Sequence, residues 1–403
     1  MIELNEGQKE CLYKLIYWWK TRDRQIFEIS GAAGTGKTTI IRYLIDQLED
    51  ISLDNVLFVA LIGKAAMQMT KSGVMASTIH SAIYHPIEVD KLDENGKKMV
   101  KEGRILKEIR FVKKEKLDGD IKLIVVDEAP MVDKKVAKDL MSFNLPIIAL
   151  GDLNQLPPVF GDSVFLRNID YRLSQVMRQK ADNPILALSQ EIINSPFLNI
   201  KPGTYGDKLM IVKKKDFFNY YLDTFHKSDI VICGKNSTRD ELNTLIRKKY
   251  FQHHGVDLAN AELPELLLGD KIICRKNNWG ISLGEINLIN GLVGYVTNID
   301  YESKTKNILK IDFRPEFLKR SFEEIPINLK YFFGNRKVKE IVKSYHHEGE
   351  LFEFGYCITC HLSQGSQYEK VIVLAERMGD IDFYRKWLYT AVTRASDKLI
   401  LII

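Results

Sequence analysis

QIFEISGAAGTGKTTIIRYLIDQLED, residues 25–50, passes from an apolar β-forming run through a glycine-rich loop into a helical pattern. Gln25–Ser30 has the composition of a short buried strand, and Ile40, Leu44 and Leu48 recur at helical spacing. Between them Gly31, Gly34 and Gly36 let the backbone curl until its N–H groups point at an anion. The helix N-terminus adds a partial positive charge. Lys37 then reaches the outer phosphates of a nucleoside triphosphate, and the Thr38 hydroxyl is placed to ligate Mg²⁺. This strand, loop and helix order predicts a P-loop in an α/β fold.

A P-loop needs a carboxylate to hold its metal. IKLIVVDEAP, residues 121–130, supplies one: its apolar run reads as a buried parallel strand. Asp127 and Glu128 fall at the C-terminal end, where open α/β sheets place ligands. Asp127 is expected to hold Mg²⁺ through water, and Glu128 to polarise the attacking water. LPIIALGDLNQLPPV, residues 145–159, repeats the pattern and delivers Gly151, Asp152 and Gln155 to another strand end. A neutral amide there can contact the γ-phosphate and report its loss. Pro157 and Pro158 stiffen the exit.

The surrounding composition agrees with a soluble α/β protein. The 403 residues are 45% hydrophobic and 28% charged, too apolar for a disordered chain, and lack the long apolar run of a membrane span. The leading MIELNEGQKECLYK carries charges where a secretion signal is apolar. Five cysteines in this length make no disulfide framework. A cytoplasmic location with reduced thiols is therefore expected. The net charge is +5, and the stretch from Gly96 to Asp118, with nine Lys/Arg against four acids, carries a surplus of the same size. It reads either as a solvated charged face or as a phosphate contact.

The three strings, in this order, resemble superfamily-1 DNA helicases, most of all the RecD/phage Dda branch, whose members move 5′→3′ on single-stranded DNA. In LNEGQKE, Gln8 matches the family's adenine-reading glutamine. IGKAAMQM (62–69) and ASTIHS (76–81) match segments that grip the DNA backbone, through Lys64, Thr78 and His80. LSQVMRQ (173–179) puts Arg178 at a γ-phosphate arginine, and LYTAVTRA (388–395) puts Arg394 at the arginine-finger position. ITCHLSQGSQYEKVIV (358–373) matches the segment coupling DNA to nucleotide, with Thr359, His361 and Ser363 toward DNA and Gly365 toward nucleotide. The resemblance implies that the whole loop, Gly31, Ala32, Ala33, Gly34, Thr35, Gly36, Lys37, Thr38 and Thr39, lines the nucleotide together with Gln155. The sequence departs from the family at Leu61, Ile62, Pro130, Leu362 and Gln367. Pro130 stands where a serine is usual, and Leu61-Ile62 stands for Pro-Thr, removing a hydroxyl that could meet a DNA phosphate.

The implied architecture is two RecA-like domains with parallel sheets, 1–165 and 166–403. A small β-hairpin pin is inserted at 86–118 and an SH3-like β-barrel at about 271–355. Asp93-Glu94-Asn95-Gly96 is a turn signal for the pin, with Met99 and Phe111 as candidates for the strand-separating residue. GDKIICRKN, INLINGLVGYVTNID and KNILKIDF read as short strands of the barrel, with Asn290-Gly291 as a hairpin cue. Trp279, Tyr331, Phe332 and Phe333 are either base-stacking residues or core. Asn236, Arg239 and Asn243 share one helix face, toward DNA or toward solvent. A zinc reading of Cys357, Cys360 and His361 fails because no second Cys pair is near.

The expectation is a monomeric, Mg²⁺- and ATP-dependent helicase acting on single-stranded and forked duplex DNA, with a single-stranded DNA-binding protein as a candidate partner. Its size and its Lys-, Ile- and Asn-rich composition fit a phage enzyme of replication or recombination. The rivals are an ATP-switched DNA clamp, a recombination-complex subunit that does not unwind by itself, and a P-loop NTPase acting on a small molecule.

Overall fold

The computed structural model describes residues 3–32, 34–71, 73–90, 97–101, 104–105, 107–157, 163–174, 183–195, 199–217, 229–256, 266–284, 286–344 and 348–403. The chain divides into two compact units, Met1–Leu153 with Pro157–Lys180, and Asn154–Leu156 with Ala181–Ile403. The first unit thus extends past the boundary expected at 165/166. The reason is the strand Tyr171–Leu173, which pairs in parallel with Ile26–Gly31 and so belongs to the first sheet.

That sheet has six parallel strands in the order Tyr171–Leu173, Ile26–Gly31, Ile147–Gly151, Leu123–Asp127, Val56–Ala60 and Ala76–Thr78. Alternation along the strands feeds two cores. Phe58, Val125, Ile148 and Leu150 join the helices Glu6–Thr21 and Lys37–Gln47 through Leu15, Trp18, Ile41 and Leu44. Val59, Ile124, Val126 and Ala149 face the helices Ile79–Ile83 and Lys134–Met141 through Ile83, Val136 and Leu140. The P-loop strand and the two carboxyl-bearing strands therefore lie side by side and share one C-terminal edge.

A β-hairpin leaves this unit where the pin was expected. Tyr84–Asp90 pairs antiparallel with Lys107–Lys113, and Val100–Lys101 pairs with Arg104–Ile105 beyond them. The turn at 93–96 lies outside the described residues. Phe111 stands opposite Pro86 near the hairpin's base, with its ring 5.9 Å from His80 and 6.4 Å from Tyr84. It buttresses the base and is not a tip residue, whereas Met99, half-buried, lies in the distal part. Part of the basic surplus is internally paired: Lys98 with Asp90 at 2.7 Å, Lys114 with Asp118 at 2.6 Å, and Lys113 with the Ser142 hydroxyl at 2.5 Å.

The second unit has its own six-stranded sheet, ordered Gly203–Tyr205, Leu209–Val212, Ala395–Ile402, Tyr368–Leu374, Ile230–Cys233 and Cys357–Thr359. All neighbours are parallel except the outermost pair. Helices Pro184–Asn194 and Ile381–Val392 cover one face and Asn236–His253 the other. The two parallel sheets are the RecA-like pair expected.

Between Asn236–His253 and Cys357–Thr359 the chain builds a five-stranded antiparallel sheet, ordered Phe322–Asn328, Ile308–Pro315, Val293–Asp300, Lys271–Cys274 and Phe352–Phe354. Its core is separate, built on Phe313, Phe322, Ile325 and Phe352. Gly291 does turn, at φ +86°, but its flanking strands pair elsewhere: Ile286–Leu288 with Asn278–Leu283, and Val293–Asp300 with its sheet neighbours. Tyr331 and Phe332 are buried, and Phe332 packs on Phe354 with ring centres 4.9 Å apart, so both are core and not base-stacking residues. The side chain of Trp279 lies outside the described ones.

Glu353, on the last strand of this insertion, is buried among Arg275 at 2.9 Å, Lys339 at 2.9 Å and Arg239 at 3.6 Å. Burial pushes its carboxyl upward, but Arg275, Arg239 and Lys339 outweigh that and hold it at about 2. Its folded value lies below the ordinary 4.5, so the stability it contributes is present above that pH and is lost as pH falls toward about 2. Glu353→Gln is expected to cost on the order of 3 kcal/mol at neutral pH. In thermal melts the gap between variant and wild type should close as pH falls through that window, and a gap independent of pH would contradict the ion-pair assignment.

Candidate nucleotide site and nucleic-acid contacts

The P-loop is held by packing from both sides. Gly34 and Gly36 both sit at φ +82°, in the left-handed region. A Cβ at Gly36 would lie 2.5 Å from the Gln8 amide nitrogen, and one at Gly31 would lie 2.6 Å from Thr35 Oγ1. Thr35 Oγ1 donates to Ala32 O at 2.9 Å, which closes the loop on itself. Lys37 Nζ donates to Gly31 O at 2.6 Å and Ala32 O at 3.3 Å, so the ammonium lies over the cradle that phosphates would enter. Thr38 and Thr39 follow on the first helical turn and are half-buried. Ala33 lies outside the described residues.

Gln8 differs from its expected role. It is fully buried, and both ends of its amide are engaged: Oε1 accepts from Asn5 N at 3.0 Å and Nε2 donates to Thr35 O at 2.9 Å. With Asn5 Oδ1 accepting from Gln8 N, it completes the capping box of the first helix. Here Gln8 ties that helix to the P-loop instead of presenting its amide to a base.

Asp127 ends its strand close enough to Lys37 for their charges to interact. Burial raises its carboxyl above the ordinary aspartate value, and Lys37 opposes the rise. Glu128 follows at φ 48°, ψ 40°, a left-handed conformation costly for a residue with a Cβ. The next residues, Ala129–Met131, form a single 3₁₀ turn with Pro130 at its start. Pro130 packs over Gly151, where an added Cβ would lie 2.4 Å from its ring. Pro130 thus closes over the end of the neighbouring strand, next to the acidic end of its own.

Sequence reasoning missed where the third strand end leads. The first unit breaks off after Leu153 and resumes at Pro157, and the intervening Asn154–Leu156 belongs to the second. There Leu156 is buried, its N donates to Thr390 Oγ1 at 2.8 Å, and its O accepts from Gln364 Nε2 at 3.0 Å. Gln155, half-buried, is therefore flanked by a residue fastened to the Leu388–Ala395 and Ile358–Val373 segments. Arg394 is buried and donates to Thr390 O at 3.0 Å, Ser366 O at 3.1 Å and Thr393 Oγ1 at 3.4 Å. Its guanidinium is folded onto its own unit and not held out as a finger. Gly365 turns at φ +66° beside it. Arg178 and Pro158 lie outside the described residues.

The expected DNA contacts divide into presented and engaged side chains. Lys64, His80, Thr359 and His361 are half-buried and Asn236 is exposed. Burial pushes both His80 and His361 below the ordinary histidine value. Thr78 is buried and caps the helix Ile79–Ile83, accepting from Ser81 N at 3.2 Å. Ser363 is fully buried and donates to Cys360 O at 2.7 Å. Asn243 exchanges two hydrogen bonds with the Cys357 backbone, at 2.9 and 2.8 Å, and Arg239 is buried against Asp240. Thr78, Ser363 and Asn243 are thus engaged with backbone: Thr78 and Ser363, at helix ends, serve the local chain, and Asn243, mid-helix, holds the Cys357 strand edge. All five cysteines are free and buried, and no cluster of metal-ligating side chains forms among the described residues. Among them, no helix is long and apolar enough to cross a membrane.

Residues 19–161 match the family model of an AAA domain, and residues 354–402 that of a UvrD-like helicase C-terminal domain. The chain is 26% identical over 377 residues to the ATP-dependent DNA helicase dda of Enterobacteria phage T4, covering 87% of this chain and 79% of that protein. It is 24% identical over 394 residues to the ATP-dependent RecD2 DNA helicase of Deinococcus radiodurans, covering 92% of this chain and 46% of that one. Among solved structures, Pif1 helicases at forked double-stranded DNA share its fold with a TM-score of 0.54 at 16% identity, over 100% of this chain and 92% of that one. Bacteroides Pif1 bound to single-stranded DNA gives 0.51 at 16% identity, over 100% and 93%.

The left-handed backbone at Glu128 yields a prediction. Glu128→Gly relieves the steric cost while removing the carboxylate. It should leave thermal stability equal or higher and lower ATP turnover by about 10²–10⁴-fold, as for loss of a general base. Turnover within a few-fold of wild type would remove Glu128 from the reaction.

Proposed function

We propose that this chain, a superfamily-1 helicase of the Dda, RecD and Pif1 type, hydrolyses ATP to move 5′→3′ along single-stranded DNA and open the duplex at a fork. The observation that carries this reading is the P-loop, with Lys37 over its cradle and Asp127 and Glu128 at a strand end of the same sheet, in a chain whose last strands match a helicase C-terminal domain.

Triphosphate entering the cradle replaces the Gly31 and Ala32 carbonyls as the partner of Lys37, a charge-assisted exchange favourable to the ammonium. The loop's N–H groups take the β-phosphate. Thr38 and Asp127 fit a Mg²⁺ ion, because a hydroxyl and a carboxylate near Lys37 form a hard oxygen set. When bound, that ion would neutralise charge on the β- and γ-oxygens. Glu128 orients the attacking water, and Gln155 responds to the γ-phosphate. Arg178 and Arg394 stabilise the charge that develops there, a contribution of about 10³–10⁵ in related enzymes. For Arg394 this means exchanging the Thr390 and Ser366 carbonyls for phosphate oxygens. Lys64, His80, Asn236, Thr359 and His361 hold the DNA strand, the hairpin 84–113 serves as the separating pin, and the five-stranded insertion is the SH3-like domain. The protein works as a monomer in the cytoplasm, with a single-stranded DNA-binding protein as a partner on the displaced strand.

ATP turnover should rise on adding single-stranded DNA. Lys37→Ala should lower it by about 10²–10³-fold, the scale of removing one charge-stabilising donor, while oligonucleotide binding persists. A rate indifferent to DNA would favour an NTPase acting on a small molecule, and normal hydrolysis by the variant would displace the cradle.

A further inference from the structure

A second anion site is built into the second unit, away from the P-loop. The helix Asn236–His253 contributes Arg239, the end of the strand Lys271–Cys274 contributes Arg275, and the helix Arg336–Ser344 contributes Lys339 and Lys343. Arg239, Arg275 and Lys339 pair with one buried carboxylate, Glu353, with the exposed Asp240 beside Arg239, and Lys343 stands next to Lys339 over the Tyr331 ring. The one buried carboxylate does not balance the three largely buried cations, and that excess sits where solvent screening is weak.

Two observations show that this network is incomplete in itself. Arg275 Nε lies 2.9 Å from Glu353 Oε2, yet neither Nε nor Nη1 has a hydrogen-bond partner among the described residues, although both atoms are buried. Buried guanidinium donors without acceptors are costly. Lys343 is exposed, and no ion pair joins it to a described carboxylate. It stands with Lys339 over the Tyr331 ring, at 5.7 and 5.6 Å. Partial desolvation, then repulsion from Arg275, pushes its pKa below the ordinary lysine value. The missing component is an anion with several acceptor oxygens, able to meet a guanidinium fork and an ammonium together.

We infer that Arg275, Lys339 and Lys343 form a phosphate-binding pocket that takes a backbone phosphodiester of the single-stranded DNA. The pocket fits a strand because Arg239 lies one helical turn beyond Asn236, the exposed residue that starts the same helix and is proposed above to hold DNA. It fits a phosphate and not a base because the aromatic ring beneath it, Tyr331, is fully buried. This inference rests on the helicase reading and adds a contact outside the motifs that carry that reading.

Lys343 tests it, since an exposed side chain can be changed without unfolding the chain. Wild type, Lys343→Gln and Lys343→Arg are titrated by fluorescence anisotropy against a labelled oligo(dT) and an abasic strand of equal length, over a range of NaCl concentrations. Each phosphate neutralised on a single strand contributes about 0.7 to the slope of log K against log salt. Lys343→Gln should be shallower by about that amount on both strands, and Lys343→Arg should keep the wild-type slope. An unchanged slope in Lys343→Gln, or a loss confined to oligo(dT), overturns the phosphate contact. Calorimetric binding of inorganic phosphate that vanishes in Lys343→Gln while the DNA slope stays put assigns the pocket to a free anion and overturns the strand contact. If wild type binds neither strand, the helicase reading fails first.

Discussion

The constraint on which the rest depends is a loop that must turn left-handed twice. Gly34 and Gly36 both occupy the left-handed region that is costly for residues with a Cβ, and the buried amide of Gln8 fills the space beside Gly36. That geometry folds the loop until the Lys37 ammonium sits on the Gly31 and Ala32 carbonyls, the point to which the rest of the site refers. Everything acidic in the site, from Asp127 to Glu128, is placed relative to that point by a sheet whose strands run in the same direction. A parallel sheet gathers all its strand ends on one edge, so three short polar strings far apart in sequence become one site.

The second unit solves a different problem, which is how to carry a large antiparallel insertion without letting it swing. Asp270 is fully buried where the insertion begins. It accepts from Arg247 Nε at 2.7 Å, Arg247 Nη2 at 2.9 Å, Tyr356 Oη at 2.9 Å and Leu267 N at 2.7 Å. Lys271, also buried, donates to Asp229 O at 2.8 Å and pairs with Glu316 at 2.7 Å. The helix before the insertion, its first strand and the residue at its exit thus meet on one carboxylate. A buried ionic junction of this kind fixes orientation more than it adds stability. It ties the insertion to the parallel sheet of the second unit.

The sequence was most legible where function depends on local backbone chemistry. The glycines around Lys37, the apolar strand before Asp127 and the turn-rich insertion each announce themselves within a dozen residues. It was least legible where a side chain's partner lies far along the chain. Nothing near Gln8 says that its amide holds Thr35, and nothing near Leu156 says that Thr390 and Gln364 fasten it, 234 and 208 residues away. Thr78 and Ser363 match positions that touch DNA, yet their hydroxyls serve adjacent backbone, because a short polar side chain at a helix terminus has a partner within reach before any ligand arrives. Tyr331 and Phe332 carried the composition of a stacking platform, and only burial distinguishes that from core.

The proposed nucleotide-driven movement has a direction, and direction is measured directly by strand displacement on duplexes bearing a single-stranded tail at one end only, with ATP and Mg²⁺ present. The account predicts that the chain displaces the strand when loaded on a 5′ tail and fails on a 3′ tail. Displacement from the 3′ tail alone, or from neither while ATP is consumed, would contradict it.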